Sequence, residues 1–401
     1  MLRKSLLALV LVAQCVTAQV WPDHLVWSER LVDDVRANGL RGNWTNADSG
    51  VELNRYGGSF GETYVRVRGW GGETVSENYS RCASYLTLLF NKVYGWSSTP
   101  STGSASPYAY QYNHLIKNAV GAQGEPFAKI VDFRTVLPGD VLAVDYVVPP
   151  VSGEATGHIF QVRLVDWDNA TFDADTQQTT YPVQVLDCSS SRHDNDTRVF
   201  PGVTTQGVGR GWIAITTDSD GNVVSHRWRI SSNDTYTQAE RHVAIGRFAG
   251  QTFSFLPLAG TVGFDANVGA GETEVTVRVT QGGSTWTLPG FTDAEGNLRV
   301  WGPIAPGLYD VAAKGPNSLR HSVPNVLVGA EGATGLAFAL VLGDVNGDNS
   351  VNIADFLRLR AAFGSSAGQL AYDFEADLNR DGSVGIPDFL ILRSNFGRTG
   401  D

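Results

Sequence analysis

Residues 344–355 read Asp-Val-Asn-Gly-Asp-Asn-Ser-Val-Asn-Ile-Ala-Asp, and residues 377–388 read Asp-Leu-Asn-Arg-Asp-Gly-Ser-Val-Gly-Ile-Pro-Asp. The second stretch repeats the pattern of the first, and an apolar run with helical spacing follows each copy. Oxygen-bearing side chains at positions 1, 3, 5 and 12 of such a loop can surround one calcium ion, which takes about six to eight oxygen ligands. The sequence therefore predicts two calcium loops, each leading into a helix.

The predicted ligands are alike in both loops: three carboxylates, one amide and one backbone carbonyl. They are Asp344, Asn346, Asp348, Ser350 and Asp355 in the first loop, and Asp377, Asn379, Asp381, Ser383 and Asp388 in the second. The serines at position 7 would contribute their backbone carbonyls. The alternative is an acidic, solvated tail, but two matched loops with matched helices argue against it. Two Ca²⁺ sites are thus expected.

Residues 343–397 resemble a dockerin module, which is a small helical unit with paired EF-hand-like loops. The resemblance implies calcium binding, and it implies a cohesin-like or cell-surface partner. Dockerins recognise cohesins mainly around loop positions 10 and 11, which here are the apolar pairs Ile353-Ala354 and Ile386-Pro387. A component of polysaccharide degradation is an alternative function. The sequence shows no paired carboxylates in a glycosidase context to favour it.

The first 18 residues have the composition of a secretory signal peptide. Arg3 and Lys4 precede an apolar run, and residues 16–18 (Val-Thr-Ala) form a small-residue cleavage site. This run is too short for a membrane span, and no other stretch is apolar enough for one. The formal net charge of −11 argues against nucleic acid and anionic membrane surfaces as partners. We expect a secreted, extracellular or cell-surface protein.

Residues 249–342 alternate between polar and apolar side chains in short runs. Residues 273–279 and 297–301 show the alternation of strands, and residues 292–296 form a turn signal. The pattern predicts an all-β sandwich, and it resembles carboxypeptidase-regulatory-like and transthyretin-like domains. That resemblance implies a spacer or adhesion module. Binding of a glycan or a surface is the alternative.

Cys82 opens a segment with helical spacing. Apolar side chains recur between residues 85 and 93, Ser80 is predicted to cap the helix, and Gly95 is predicted to end it. In the first turn, the helix dipole and the unpaired N–H groups stabilise a thiolate and could hold an oxyanion. Cys82 is therefore a candidate nucleophile.

His158 and Asp187 are the candidates for its partners. They lie on two predicted strands that flank a polar, turn-rich segment. A hairpin centred near residues 172–173 would place them opposite each other, so that the carboxylate fixes the imidazole tautomer. The other histidines, His193 included, show no comparable partner. Arg198 is expected to organise the loop after Asp187.

Residues 75–190 resemble the papain-like fold, and most closely the NlpC-type cell-wall peptidases and their amidase relatives. Three features carry the resemblance: a cysteine that opens a helix, Pro138-Gly139-Asp140 at one strand start, and Gly157-His158 at the next. The resemblance implies an α+β cysteine hydrolase that acts on a peptide or amide substrate. In it, Cys82 is the nucleophile, His158 the base and Asp187 the third polar residue.

A disulfide between Cys82 and Cys188 is the competing interpretation. A secreted chain with two mature cysteines invites a disulfide, and Cys188 adjoins Asp187 in the sequence. The proximity that supports the catalytic group therefore also supports a bridge. This alternative predicts a non-catalytic extracellular adhesion or scaffold protein.

The predicted organisation is multidomain. It comprises a signal peptide (1–18), a papain-like cysteine hydrolase-like domain (19–248), a β-sandwich (249–342) and a dockerin-like calcium-binding module (343–401).

Overall fold

The computed structural model describes residues 20–59, 61–147, 156–266, 268 and 271–401. The predicted signal peptide lies outside the described residues. Within the described ranges, no helix combines the length and the apolar character needed to cross a membrane. The described chain is mostly β-structure with a few helices, and it forms three modules in sequence order.

The N-terminal module combines helices with one large sheet. Its helices are α1 (Asp23–Leu40), α2 (Cys82–Tyr94), α3 (Thr99–Thr102) and α4 (Ala109–Lys117), with a 3₁₀ turn at Phe133–Thr135. Its strands are β1 (Asn54–Tyr56), β2 (Tyr64–Arg66), β3 (Glu77–Ser80), β4 (Phe127–Ile130), β5 (Val141–Tyr146), β6 (Gly157–Val165), β7 (Thr171–Asp173), β8 (Gln178–Ser189), β9 (Val199–Phe200), β10 (Val203–Thr204), β11 (Gly207–Thr217), β12 (Val223–Arg227), β13 (Tyr236–Thr237) and β14 (Arg241–Phe248).

The large sheet has the strand order β13-β12-β11-β8-β6-β5-β14-β4, with β7 paired to β8. Strands buried on both faces carry long apolar runs rather than clean alternation. One face packs against the helices through Leu25, Leu31, Leu86, Leu89, Ile159 and Leu186. The other face encloses a second core built from Phe160, Val162, Val183, Val185, Ile213 and Ile245. The helices therefore cover one face of the sheet, and α2 contacts β6 on that face.

The middle module is a pair of facing sheets. Its strands are β15 (Leu256–Phe264), β16 (Glu274–Gln281), β17 (Ser284–Phe291), β18 (Asn297–Gly302), β19 (Gly307–Lys314), β20 (His321–Val328) and β21 (Ala333–Leu340). The sheet orders are β18-β15-β21 and β17-β16-β19-β20. Along β16, buried valines alternate with more exposed polar residues, because successive side chains point to opposite faces. The buried side chains of both sheets share one core.

The C-terminal module holds two helices of equal length, α5 (Ile353–Ala362) and α6 (Ile386–Asn395). Asn352 caps α5, since its side chain accepts the Ala354 N–H at 2.8 Å. Leu359 and Leu392 are the equivalent buried leucines of the two helices, and they belong to one small core. The repeat seen in the sequence is therefore a repeat in structure.

Direct contacts join the three modules. The rings of Trp21 and Trp301 lie 4.4 Å apart between the N-terminal and middle modules. Arg41, just after α1, lies 2.9 Å from Glu274 of the middle module and 3.9 Å from Glu375 of the C-terminal module. The end of α1 is thus a meeting point of all three modules.

Candidate functional site

Cys82 is the first residue of α2, one residue after β3. The backbone turns at Arg81, whose N–H donates to the Ser84 side chain at 2.8 Å and fixes the first turn. The predicted cap Ser80 is instead the last residue of β3, where its hydroxyl donates to Asn78. The first backbone N–H groups of a helix lack intrahelical acceptors, so they favour negative charge at the Cys82 side chain.

His158 contacts one of its predicted partners directly and lies near the other. Its Nε2 lies 2.7 Å from Oδ2 of Asp187, and both side chains are buried. Cys82 is among the groups that raise the pKa of His158, which indicates that the thiol lies near the ring. Because Nε2 faces Asp187, Nδ1 is the ring nitrogen left for the thiol. The structure thus brings Cys82, His158 and Asp187 together.

The register of β6 and β8 differs by two residues from the predicted one. Gln161 lies opposite Leu186, and continuing this antiparallel register places Phe160, rather than His158, opposite Asp187. Side chains alternate between faces with a period of two, so a shift of two residues keeps each one on its predicted face. His158 therefore reaches Asp187 diagonally across one face of the sheet.

The glycine before the histidine has a packing reason. A Cβ at Gly157 would lie 2.2 Å from the carbonyl oxygen of Val144 on β5 and 3.1 Å from Cβ of Ala109 on α4. No side chain fits there without moving backbone. The Gly-His pair thus lets β6 start close against β5, with the imidazole at its end.

Asp187 has two further partners that the sequence did not reveal. Nε2 of His193 lies 3.1 Å from the same Oδ2, and Nη2 of Arg198 lies 3.0 Å from Oδ1. The prediction that His193 lacks a comparable partner is therefore wrong. Arg198 does organise its loop, through two bonds to Asp196, and it also faces Asp187. The available signal was the dense polar run over residues 192–198, directly after β8.

Two glycines on the neighbouring strand β11 make room for these side chains. Gly209 pairs with Asp187, and a Cβ there would lie 2.7 Å from Nε of Arg198. A Cβ at Gly211 would lie 2.7 Å from Cβ of His193. The sheet is therefore open where the arginine and the second imidazole cross its face.

The surrounding charges set the protonation of this group. Burial alone would raise the pKa of Asp187, but Arg198 and His193 outweigh it and hold the pKa of this carboxyl well below its usual range. Burial has the opposite effect on His158 and lowers its pKa. The neighbouring Cys82 and the bond to Asp187 outweigh burial and raise the pKa of His158 to about 9. The imidazolium form of His158 is thus favoured.

An aromatic ring covers this group. Trp228 lies edge-to-face on His158, with ring centroids 4.8 Å apart, and its centroid is 4.6 Å from that of His193. Its Nε1 donates to the carbonyl of Arg192 at 3.1 Å, which anchors the ring. Trp228 therefore limits the access of water to the hydrogen bonds between the imidazoles and Asp187.

Cys188 differs from Cys82 in its surroundings. Both cysteines are free thiols in the described structure, so the alternative disulfide is not formed there. The Cys188 thiol donates to the carbonyl of Ser80 at 3.1 Å and accepts from Asn78 at 3.5 Å. Burial raises the pKa of Cys188 to about 12. Cys188 is thus a neutral, structural thiol beneath the end of β3.

A cleft of about 390 Å³ opens beside His158. Tyr56, Tyr146 and Trp228 contribute aromatic walls, and Arg241 contributes a positive charge. The imidazole is therefore reachable from solvent although its own exposure is low. A substrate of peptide size can approach the group from this side.

The predicted calcium loops lie directly before α5 and α6. In each loop, the carboxylate at position 1 accepts a backbone N–H from position 6: Asn349 donates to Asp344, and Gly382 donates to Asp377, both at 2.9 Å. Both position-6 residues have the left-handed conformation, with φ of 72° and 85°. The carboxylates at position 12 are fully buried, and each accepts the N–H of position 3.

These loops fit a calcium ion. Oδ1 of Asp344 is buried and lacks a hydrogen-bond partner among the described residues, and its Oδ2 contacts the ammonium of Lys314 from the middle module. Burial and the nearby Asp388 and Asp381 raise the pKa of Asp377, which indicates unbalanced negative charge. No group of three or more His, Cys, Asp or Glu side chains in the described ranges could hold a metal alone. A calcium loop also uses amide and backbone oxygens, which these loops supply at positions 3 and 7.

Comparison with known families gives one match in this region. Residues 342–396 match the family model of the dockerin type I domain. This confirms the predicted dockerin at the C-terminus, and dockerins of this type are calcium-binding modules. We refer to residues 343–401 as the dockerin module.

Relatives and solved structures were also found. An uncharacterised protein, R653 of Acanthamoeba polyphaga mimivirus, is 26% identical over 205 residues, which cover 47% of this chain and 88% of that protein. A mutant type II cohesin–X–dockerin complex from Acetivibrio cellulolyticus is 25% identical over 36% of this chain and 97% of that chain, with a TM-score of 0.29. A type II cohesin–dockerin domain from Bacteroides cellolosolvens is 40% identical over 14% of this chain and 85% of that chain, with a TM-score of 0.12.

Proposed function

We propose that this chain is a secreted or cell-surface cysteine hydrolase of amide or peptide bonds that carries a dockerin for attachment. The observation that supports the chemistry is the hydrogen bond between the buried side chains of His158 and Asp187, with the Cys82 thiol nearby at a helix start. These are the parts that nucleophilic catalysis by cysteine needs. The papain-like resemblance of the sequence agrees with the same assignment.

In the first half of the reaction, the Cys82 thiolate attacks the carbonyl carbon of the substrate. The carbonyl oxygen gains negative charge, and the free N–H groups at the start of α2 are suited to stabilise it. The protonated His158 then gives its proton to the leaving nitrogen, the C–N bond breaks, and the amine departs. A thioester between the acyl group and Cys82 remains.

In the second half, water replaces the amine. The now neutral His158 takes a proton from the attacking water, whose oxygen bonds to the thioester carbon. The C–S bond breaks, the carboxylic acid leaves, and the thiolate beside an imidazolium is restored. Asp187 keeps the imidazole in one orientation throughout, because His193 and Arg198 hold the carboxylate from two other sides.

The dockerin module supports a second part of the proposal, which is docking to a cohesin-like partner. Ile353 and Ile386 are 59% and 65% exposed at equivalent positions, and Leu357 and Leu390 are 53% and 50% exposed one turn later. Two matched apolar faces on a small module are typical of an interaction surface. Bound calcium would hold each loop against its helix; the loop oxygens named above are the ligands we propose.

Hydrolysis of peptides by the purified chain tests the enzymatic part. The calcium-loaded protein is incubated with a mixture of end-blocked peptides, and new amines are counted by mass spectrometry. We expect cleavage by the wild type and by Cys188→Ala, and none by Cys82→Ala with unchanged circular dichroism. Cleavage by a folded Cys82→Ala protein would rule the mechanism out. If the folded wild-type protein cleaves nothing and its cysteines are bridged, the adhesion or scaffold alternative is favoured.

A further inference from the structure

A second and larger cavity of about 690 Å³ lies in the N-terminal module. Four aromatic side chains stand in its wall, namely Trp44, Tyr56, Tyr79 and Phe200. Trp44 and Phe200 meet edge-to-face with ring centroids 4.6 Å apart, so that part of the wall is packed and apolar. A volume of this size suits a ligand larger than a single amino acid.

The cavity adjoins the proposed catalytic group. Tyr56 lines both this cavity and the cleft beside His158. Burial raises the pKa of Tyr56, and the next contribution comes from the negative charge of Cys82, which places the phenol near the thiol. A substrate that lies across Tyr56 can therefore fill the larger cavity while its scissile bond lies in the cleft beside His158.

Arg55 contributes a positive charge to the wall of this cavity. Its guanidinium carbon lies 3.9 Å from the ring centroid of Tyr79, and its Nη2 donates to the hydroxyl of Tyr64 at 3.0 Å. No ion pair in the described part of the chain involves Arg55. The exposed Glu52 also lines the cavity without pairing to it. A guanidinium fixed by stacking, with its charge unbalanced, is suited to a carboxylate.

The other arginine of the wall is already engaged. Arg36 forms an ion pair with Glu272, and its Nη1 donates to the carbonyls of Thr197 and Val199. Its guanidinium also stacks on Phe200, with 4.4 Å between the guanidinium carbon and the ring centroid. Arg36 thus helps to build the wall, and the positive charge left for a ligand is that of Arg55.

We propose that this cavity binds the part of the amide substrate that carries a carboxylate next to an aromatic or apolar group. Arg55 pairs with the carboxylate, and the aromatic wall buries the neighbouring group. The inference rests on the proposed hydrolase function for what happens at Cys82. The preferred substrate is accordingly a peptide with an acidic residue beside an aromatic one.

Binding to an inactive form of the full chain tests this inference separately from catalysis. Two end-blocked peptides, acetyl-Gly-Tyr-Glu-Gly-amide and acetyl-Gly-Tyr-Gln-Gly-amide, are titrated calorimetrically into the calcium-loaded Cys82→Ala protein. We expect the glutamate peptide to bind about tenfold more tightly, because a charge-assisted bond to Arg55 is lost with glutamine. Adding Arg55→Gln should make the two affinities equal, whereas adding Arg134→Gln, outside the cavity wall, should leave the ratio unchanged.

The results separate the two proposals. Equal affinities in the Cys82→Ala protein, the absence of binding by either peptide, or an unchanged ratio in a folded Arg55→Gln protein would each overturn the carboxylate site. If Arg55→Gln does not fold, the comparison of the glutamate and glutamine peptides in the Cys82→Ala protein still tests the carboxylate site. Selective binding without any cleavage by the wild type would keep the carboxylate site and refute the hydrolase. Cleavage of neutral peptides as fast as acidic ones would keep the hydrolase and refute the carboxylate site.

Discussion

Nε2 of His158 lies 2.7 Å from Oδ2 of Asp187, and the same oxygen is 3.1 Å from Nε2 of His193. One carboxylate oxygen therefore orients two imidazoles, while Arg198 lies 3.0 Å from the other oxygen. This arrangement keeps Asp187 ionised in a buried site, which a lone carboxylate would resist. The hydrogen bond and the charge of Asp187 in turn raise the pKa of His158, in addition to a larger contribution from Cys82.

Replacing Asp187 by Asn should lower the pKa of His158 below its native value of about 9. The amide keeps the shape but removes the negative charge that favours the imidazolium. A raised folded-state pKa stabilises the native state fully below the ordinary histidine pKa of about 6.5, and this stabilisation is lost as pH rises through about 9. The variant should lose part of that pH dependence, because the contribution of Cys82 remains, and its amide hydrolysis should fall by about 10² or more.

Histidine NMR titration checks this expectation directly. The His158 midpoint should move to lower pH in Asp187→Asn. Asp173→Asn is the matched control, because Asp173 is an exposed residue at the end of β7. An unchanged His158 midpoint in the folded variant would show that Asp187 does not set its protonation.

The two thiols should react at very different rates with iodoacetamide. Cys82 sits at a helix start beside an imidazolium, whereas burial raises the pKa of Cys188 to about 12. We expect peptide mapping to find Cys82 alkylated at least about tenfold faster at pH 6, where an ordinary thiol is mostly protonated. Equal labelling of the two cysteines, or a Cys82–Cys188 disulfide in the native protein, would contradict the proposed role of Cys82 as the nucleophile.

Local patterns specify some of this site, and tertiary packing specifies the rest. The helix after Cys82 follows from its apolar spacing and from Gly95, which ends the helix as predicted and has a left-handed conformation there. The face shared by His158 and Asp187 was predictable even with the register two residues off, because only the parity of the shift decides the face. The His193 contact depends on how an irregular loop folds back onto β8, and no periodic pattern encodes that.

The dockerin module shows the opposite case. Its left-handed residues at position 6 and its helix starts are set within short, repeated segments, so the sequence alone places them. Its calcium ligands stay a prediction. Its contacts with the middle module were not predictable. Asn395 donates to Asp265 at 2.6 Å, and Lys314 contacts Asp344, across distances in the sequence that no local rule covers.

Gly157→Ala should destabilise the N-terminal module by about 1–3 kcal/mol. The new Cβ would lie 2.2 Å from a backbone oxygen of Val144, which cannot turn away as a side chain can. Gly263→Ala on the exposed face of β15 is the control, since no atom lies within 4 Å of its added Cβ. Thermal unfolding followed by near-ultraviolet circular dichroism should show a lower midpoint for Gly157→Ala alone. Equal midpoints would mean that β5 and β6 can separate at no cost.

Removing calcium should unfold the dockerin module while the N-terminal module remains folded. Binding at about 100 times the dissociation constant stabilises a folded module by about 2.7 kcal/mol, a large fraction of what so small a core can supply. Calorimetry of the full chain should show one transition that moves to lower temperature with chelator. The double variant Asp344→Asn, Asp377→Asn should lack the calcium-dependent shift. A trace that chelator leaves unchanged would contradict calcium binding by these loops.

The matched apolar faces of α5 and α6 predict how a partner docks. Ile353→Asp or Ile386→Asp alone leaves one of the two exposed isoleucines in place, so each should retain measurable binding to a cohesin, whereas the double variant should lose it. A buried aspartate in an apolar contact has no partner for its charge, and this costs several kcal/mol of affinity. Surface plasmon resonance with immobilised cohesins, in calcium and with chelator, measures the binding. Leu370→Asp is the control, because Leu370 is fully exposed in the segment between the helices.

If the double variant binds as the wild type does, the partner uses another surface of the dockerin module. If the wild type binds only in calcium and the double variant not at all, the two helices together form the docking face.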